Sequence, residues 1–191
     1  MTQTLNTAHF ATSEVRRSRF HAFAVPYAEL ESTLQFCRRT HSKANHYCTA
    51  ARWLDEQQAV RETAKDDGEP GGTAGRPMLR ILQSGDWINV GLVVVRYFGG
   101  IKLGTGGLAR AYSGAASAAL AAATAIPYEA EDAVTINVTF SAMDAVERFI
   151  RDAELDVEAR NFHADGVKLT VRGSAAPVSR LRELAQQKAY D

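Results

Sequence analysis

The residues Val90–Val95 read VGLVVV, and no other stretch restricts the fold as much. A strand with one face in water alternates apolar and polar side chains. An unbroken apolar run has no wet face, so this strand has to be covered on both sides. The next residues narrow the choice further. Arg96, Tyr97 and Phe98 lead into a turn holding five glycines, Gly99, Gly100, Gly104, Gly106 and Gly107. Then comes Leu108 to Thr124, alanine-rich and of high helix propensity. Its small side chains let such a helix lie close against a sheet.

The flanking segments supply partners for that strand. Arg19 to Tyr27 reads as a strand ending at Pro26, and His46 to Trp53 as a second, pairing with Trp87 to Tyr97. Glu29 to Thr40 has helical spacing at Leu30, Leu34 and Cys37. Ala64 to Arg76 is a loop, with four glycines and three carboxylates, and Met78 to Gln83 starts a helix with Pro77 at its first turn. Ile126 to Asp132 reads as a linker.

Beyond the linker the pattern is compact. Val134 to Phe140 is a strand, Asp144 to Asp152 a helix, Leu155 to Phe162 a strand, Asp165-Gly166 a hairpin turn, Val167 to Val171 a strand and Val178 to Lys188 a helix. This β-α-β-β-α order is that of a ferredoxin-like module without its last strand. The expectation is an α+β chain of two domains, residues 1–130 and 131–191. The first is a two-layer α/β domain, the second ferredoxin-like. Charge divides near the same place. Met1 to Tyr128 holds 14 Lys/Arg and 10 Asp/Glu, and the remainder holds 8 and 12. The longest apolar stretch, Ala115 to Ile126, is too short for the roughly 20 residues a membrane helix needs. With no signal-peptide pattern at the start and only two cysteines, the reading is a cytoplasmic chain without a membrane role.

Three clusters carry chemistry. In the Gly-rich segment, glycines expose backbone N–H groups next to a helix N-terminus, and Arg96, Lys102 and Arg110 add full charges. Together these suit an anion or phosphate. The order is not that of a Walker A loop, because no Gly-Lys-Ser/Thr precedes the helix. Asp66, Asp67 and Glu69, followed by Pro70-Gly71-Gly72-Thr73, could hold Mg²⁺ or pair with arginines, and the second is the commoner use. Arg16, Arg17 and Arg19 beside Phe20 suit nucleic-acid backbones, or a charged strand edge. Cys37, His41, His46 and Cys48 match no zinc spacing and read as core thiols and hydrogen-bonded histidines. No residue is an obvious catalytic group, and neither cofactor nor metal is expected.

Four stretches together resemble the IMPACT/YigZ family: EVRRSRFHAFA from Glu14, HSKANHYCTAARW from His41, DDGEPGGTAGRPML from Asp66 and VVVRYFGGIKLGTGGLARAYSGAA from Val93. The likeness covers roughly residues 14–125. It implies a first domain similar to domain IV of the translocase elongation factor and to a ribosomal small-subunit protein, and a ferredoxin-like second domain. It also implies regulation of translation, with RNA, the ribosome or a protein of the translation machinery as partner and no settled enzymatic activity. The signature loop is then Asp66, Asp67, Gly68, Glu69, Pro70, Thr73 and Arg76. The binding surface is Arg16, Arg17, Arg19, Arg96, Lys102, Arg110 and the five glycines. Two other readings stand beside this one. One is a phosphate- or nucleotide-binding enzyme with Mg²⁺ on the acidic loop, and the other is a module docking a protein partner.

Overall fold

A computed structural model describes residues 2–188. The chain divides into two compact units, Met1–Tyr128 and Glu129–Asp191. In the first, the elements are β1 (Gln3–Thr4), β2 (His9–Val15), β3 (Ser18–Pro26), α1 (Leu30–Thr40), β4 (His46–Leu54), β5 (Val60–Lys65), α2 (Gly75–Ser84), β6 (Val90–Tyr97), α3 (Gly104–Ala121) and β7 (Ile126–Pro127). Strands β2 to β6 form one antiparallel sheet in the order β2-β3-β6-β4-β5.

The apolar run is the middle of that sheet. Val90, Leu92 and Val94 face α2 and α3 in a core with Phe20, Ala22, Ala24, Cys48, Met78, Leu82, Tyr112 and the alanines of α3. Val93 and Val95 face the other way, against Cys37 of α1 and Tyr47. Each fully buried aliphatic side chain contributes roughly 1.5–3 kcal/mol relative to exposure, so a strand buried on both faces anchors the unit. Gly91 is small because α1 passes over it: a Cβ there would lie 2.9 Å from Leu30 Cδ1.

Several boundaries differ from the sequence expectation. Helix α3 begins at Gly104, so the last three glycines of the turn form its first turn. Their low propensity, about 1 kcal/mol each, is outweighed by a long face buried from Leu108 to Leu120. Strands β2 and β5 are the sheet edges, and with one face wet and few apolar residues they carry no clear pattern. The segment expected to be only a linker opens with β7, which pairs antiparallel with β1 at Gln3–Pro127 and Thr4–Ile126.

The second unit holds β8 (Glu131–Thr139), α4 (Met143–Asp152), β9 (Asp156–His163), β10 (Gly166–Ser174) and α5 (Ala175–Lys188). Its antiparallel sheet runs β8-β10-β9. Val134, Ile136, Val138, Leu169 and Val171 pack against Val146, Ile150, Val178 and Leu181 of the two helices. Among the described residues no helix is long and apolar enough to cross a membrane.

Candidate functional site

Two loops are linked through Arg96 of β6 and Ser18 of β3: residues 66–74 after β5, and residues 98–103 between β6 and α3. The first is held by its own carboxylates. Asp66 Oδ1 accepts the Ala74 and Gly75 N–H groups at 3.0 and 2.8 Å, and Oδ2 accepts that of Gly72 at 2.7 Å. Asp66 thereby closes the open end of α2, satisfying N–H groups that a helix start leaves free. Burial pushes its carboxyl up, but these N–H groups and the nearby Arg76 outweigh that and hold it below the usual carboxylate range. Asp67, at φ 46°, accepts the Tyr47 N–H at 2.7 Å and Arg38 at 3.1 Å. Its carbonyl oxygen lies 2.8 Å from His46 Nδ1. A carbonyl only accepts, so that nitrogen carries the hydrogen. Pro70 carbonyl oxygen receives the Thr73 hydroxyl at 2.6 Å, tightening the Gly71-Gly72 turn. Gly68 turns at φ 86°.

Glu69 reaches from this loop to the elements on either side of the Gly-rich one, β6 and α3. Its buried Oε1 accepts Arg96 at 2.6 Å and the Tyr112 hydroxyl at 2.7 Å. A second guanidinium nitrogen of Arg96 reaches the buried Ser18 hydroxyl at 3.3 Å, and Gly99 N–H donates to the same oxygen at 3.2 Å. The guanidinium also lies 5.7 Å from the ring of Phe20 and 5.5 Å from that of Phe98. Arg96 is therefore an internal group, 5% exposed and paired, rather than a cation offered to a ligand. Strand alternation causes this: Arg96 stands opposite Phe20 on the α3 side of the sheet, where the core lies. Tyr112 is the residue that sequence pattern alone leaves unmarked. It shares a helix face with Leu108 and Ala115, and a tyrosine on a buried face needs a partner for its hydroxyl. Burial, with Cys48 and Glu69 close by, pushes its ionisation far up.

The remaining cations stay in water. Arg16, Arg17, Lys102 and Arg110 are all exposed. Arg16 and Arg17 form the β2–β3 turn with φ 48° and 66°, and this turn packs on the Gly-rich loop. A Cβ on Gly99 would collide with the Arg17 carbonyl group, so only glycine allows the approach. At the other end of the loop, Arg110 lies along the first turn of α3 beside Gly106. Gly100 and Gly104 have φ 81° and 72°. Helix α3 has no side-chain cap and no acidic residue in its first turn. Arg19 separates from the others: it lies on the opposite face of the sheet, 5.3 Å over the Tyr97 ring. Arg76 is exposed in the first turn of α2.

The cysteine and histidine set is dispersed. Burial pushes the Cys37 thiol up to about 11 and the Cys48 thiol up to about 12. Cys48 donates to the Asp66 carbonyl at 3.0 Å. Neither thiol is a ready nucleophile, since that needs the thiolate. All three carboxylates of the acidic loop are engaged by protein donors, and among the described residues no group of three or more His, Cys, Asp or Glu could hold a metal ion.

Comparison with known proteins adds to this picture. The family model described as "Impact N-terminal domain" matches residues 16–120. An IMPACT family member of Thermus thermophilus is 36% identical over 159 residues, covering 83% of this chain and 85% of that protein. YigZ of Escherichia coli is 41% identical over 114 residues, covering 56% of this chain and 54% of that protein. The matched part thus spans about half the length of the E. coli relative. A solved structure described as a hypothetical protein is 28% identical, with a TM-score of 0.69 over 98% of this chain and 93% of that one.

Proposed function

The chain belongs to the IMPACT family, and from that premise we propose a translation-associated binding protein that grips RNA phosphates, free or on the ribosome, with its Gly-rich face. One observation carries the reading. The first turn of α3 has neither a capping side chain nor a carboxylate, while exposed Arg16, Arg17, Lys102 and Arg110 belong to the segments around it. Free N–H groups at a helix start attract anions, and the surrounding cations add charge. In this reading Arg96 and Glu69 act from below. Their pairing, with Ser18 and Tyr112, fixes the acidic loop, the β2–β3 turn and the glycines in one arrangement. Asp66 serves the fold, because its oxygens are taken by the N–H groups of Gly72, Ala74 and Gly75 at the entry to α2.

The test is binding to labelled structured RNA and to ribosomal subunits across a salt series. Wild type would be compared with Lys102→Ala/Arg110→Ala. Each phosphate contact releases counterions, so affinity should fall steeply with salt, and the double variant should bind more weakly with a slope shallower by about 1 per contact removed. Affinity that is flat in salt, or unchanged in the variant, sinks the reading. A protein partner is the second reading, favoured by Phe98 and Ile101, which stand 45% and 39% exposed on the same loop. It predicts that Phe98→Ala/Ile101→Ala abolishes capture of a translation protein in a pull-down while leaving RNA affinity within twofold.

A further inference from the structure

The opposite face of the same hairpin carries a second surface. Phe10, Thr12 and Glu14 of β2 stand across from Phe23, His21 and Arg19 of β3, on the side away from α3. The rings of Phe10 and His21 are nearly parallel, 9° apart with centroids at 6.0 Å, and Thr12 holds His21 Nδ1 at 3.2 Å. His21 lies 4.9 Å from His41, whose Nδ1 is 3.0 Å from the Tyr97 hydroxyl. Arg19 caps the row over Tyr97. Burial, then His41 and Arg19, hold His21 below its ordinary value, so near neutral pH it is a flat uncharged ring.

Helix α1 covers the middle of this face and stops short of β2. Phe10 remains 51% exposed, and Thr12 and Arg19 are exposed beside it. Arg38, Arg39 and Lys43 lie at the end of α1 that carries His41. Two carboxylates belong to the neighbourhood: Glu14 opposite Arg19, and Asp67, which is occupied by Arg38. The balance is therefore cationic. An open ring, Phe10, beside a half-buried one, His21, with guanidinium groups at the rim is a combination that holds unpaired bases and their phosphates, since every base has a face to stack and every linkage a charge.

We propose that this face binds the unpaired bases of a single-stranded nucleic acid, Phe10 and His21 as the stacking rings and Arg19 on an adjoining phosphate. The inference rests on the nucleic-acid reading above and names its substrate class. One hairpin carries both surfaces. From Phe10 to the Arg16–Arg17 tip is roughly 20 Å along the strand, so a single strand lying on β2 leads to the Gly-rich loop.

The experiment measures anisotropy of a labelled oligouridine and of a labelled RNA duplex of equal length, at one salt concentration, with wild type, Phe10→Ala and Phe10→Trp. Wild type should prefer the single strand. Phe10→Ala should weaken oligouridine binding about tenfold and leave duplex binding within twofold. Phe10→Trp should restore affinity, and its fluorescence should be quenched by oligouridine. Equal losses on both RNAs, no loss in Phe10→Ala, or no quenching in Phe10→Trp overturns the proposal while leaving the Gly-rich loop reading intact. Absence of binding to either RNA by wild type overturns the proposal, and absence of binding to ribosomal subunits as well overturns the Gly-rich loop reading. Should Phe10→Ala fail to fold, Arg19→Ala and the quenching measurement decide.

Discussion

Glu69 and Arg96 each leave water almost completely, and each would be costly there alone. Coulomb attraction repays desolvation only where geometry is good and the other polar atoms are bonded. Here Glu69 has a second donor in Tyr112 and Arg96 a second acceptor in Ser18, which meets that condition for Glu69 and only in part for Arg96, whose buried Nε finds no partner among the described residues. Removing one partner leaves the other charge buried. Glu69→Ala is therefore expected to destabilise the first unit by about 3–5 kcal/mol. The double variant Glu69→Leu/Arg96→Met should recover most of that. Urea unfolding followed by circular dichroism checks both, and a loss below about 1 kcal/mol in the single variant would contradict the role given to the pair. The family resemblance placed both residues in signature stretches but could not show that they bond. Twenty-seven positions separate them, and only the β4–β5–β6 arrangement closes the gap.

Among the elements, α3 shows how one residue type serves opposite needs. Gly99, just before it, sits against the Arg17 backbone and tolerates no side chain. Gly114, in its exposed middle, would have no atom within 4 Å of an added Cβ. In a helix interior that glycine only loses chain entropy, so Gly114→Ala is expected to stabilise by about 0.4–1 kcal/mol. A thermal melt of the variant reads the gain, and a drop in the midpoint would mean that this face of α3 is covered by something in solution. The long elements were legible from the sequence because a local signal ran over many residues: side-chain spacing in α1 and β3, strand-forming composition in β4, an unbroken apolar run in β6 and alanine propensity in α3. The edge strands were not. β5, with Arg61, Glu62 and Lys65 exposed along it, is a strand only because β4 lends it a ladder.

For the molecule as a whole, each unit has its own core: the residues around Leu92 and Tyr112 in one, and those around Leu169 and Leu181 in the other. The first is closed by its ends. Gln3 pairs with Pro127, its N–H donates to the Asp86 carbonyl at 3.0 Å, and the Tyr128 N–H donates to the Thr2 carbonyl at 2.9 Å. A fragment of residues 1–128 is therefore expected to fold by itself. A fragment of residues 1–124 lacks β7 and should unfold at lower urea with little change of slope. Equal midpoints for the two fragments would remove the β1–β7 pairing from the stability of this unit.

The sequence by itself determined that a doubly covered strand runs into a glycine turn and an alanine helix, that a β-α-β-β-α module comes after them, and that the signature stretches are those of one family. The first two are written in neighbouring residues, through side-chain period and turn chemistry, and the third in the resemblance of four short stretches. Only the tertiary structure decided which of the arginines are free. Arg96 and Arg19 lie on opposite faces of the sheet and are set by what packs there, whereas Arg16 and Arg17 in a turn, Lys102 in a loop and Arg110 on α3 are exposed. A one-residue step along a strand turns a side chain from solvent to core. The partner waiting on each side comes from segments far away in the chain.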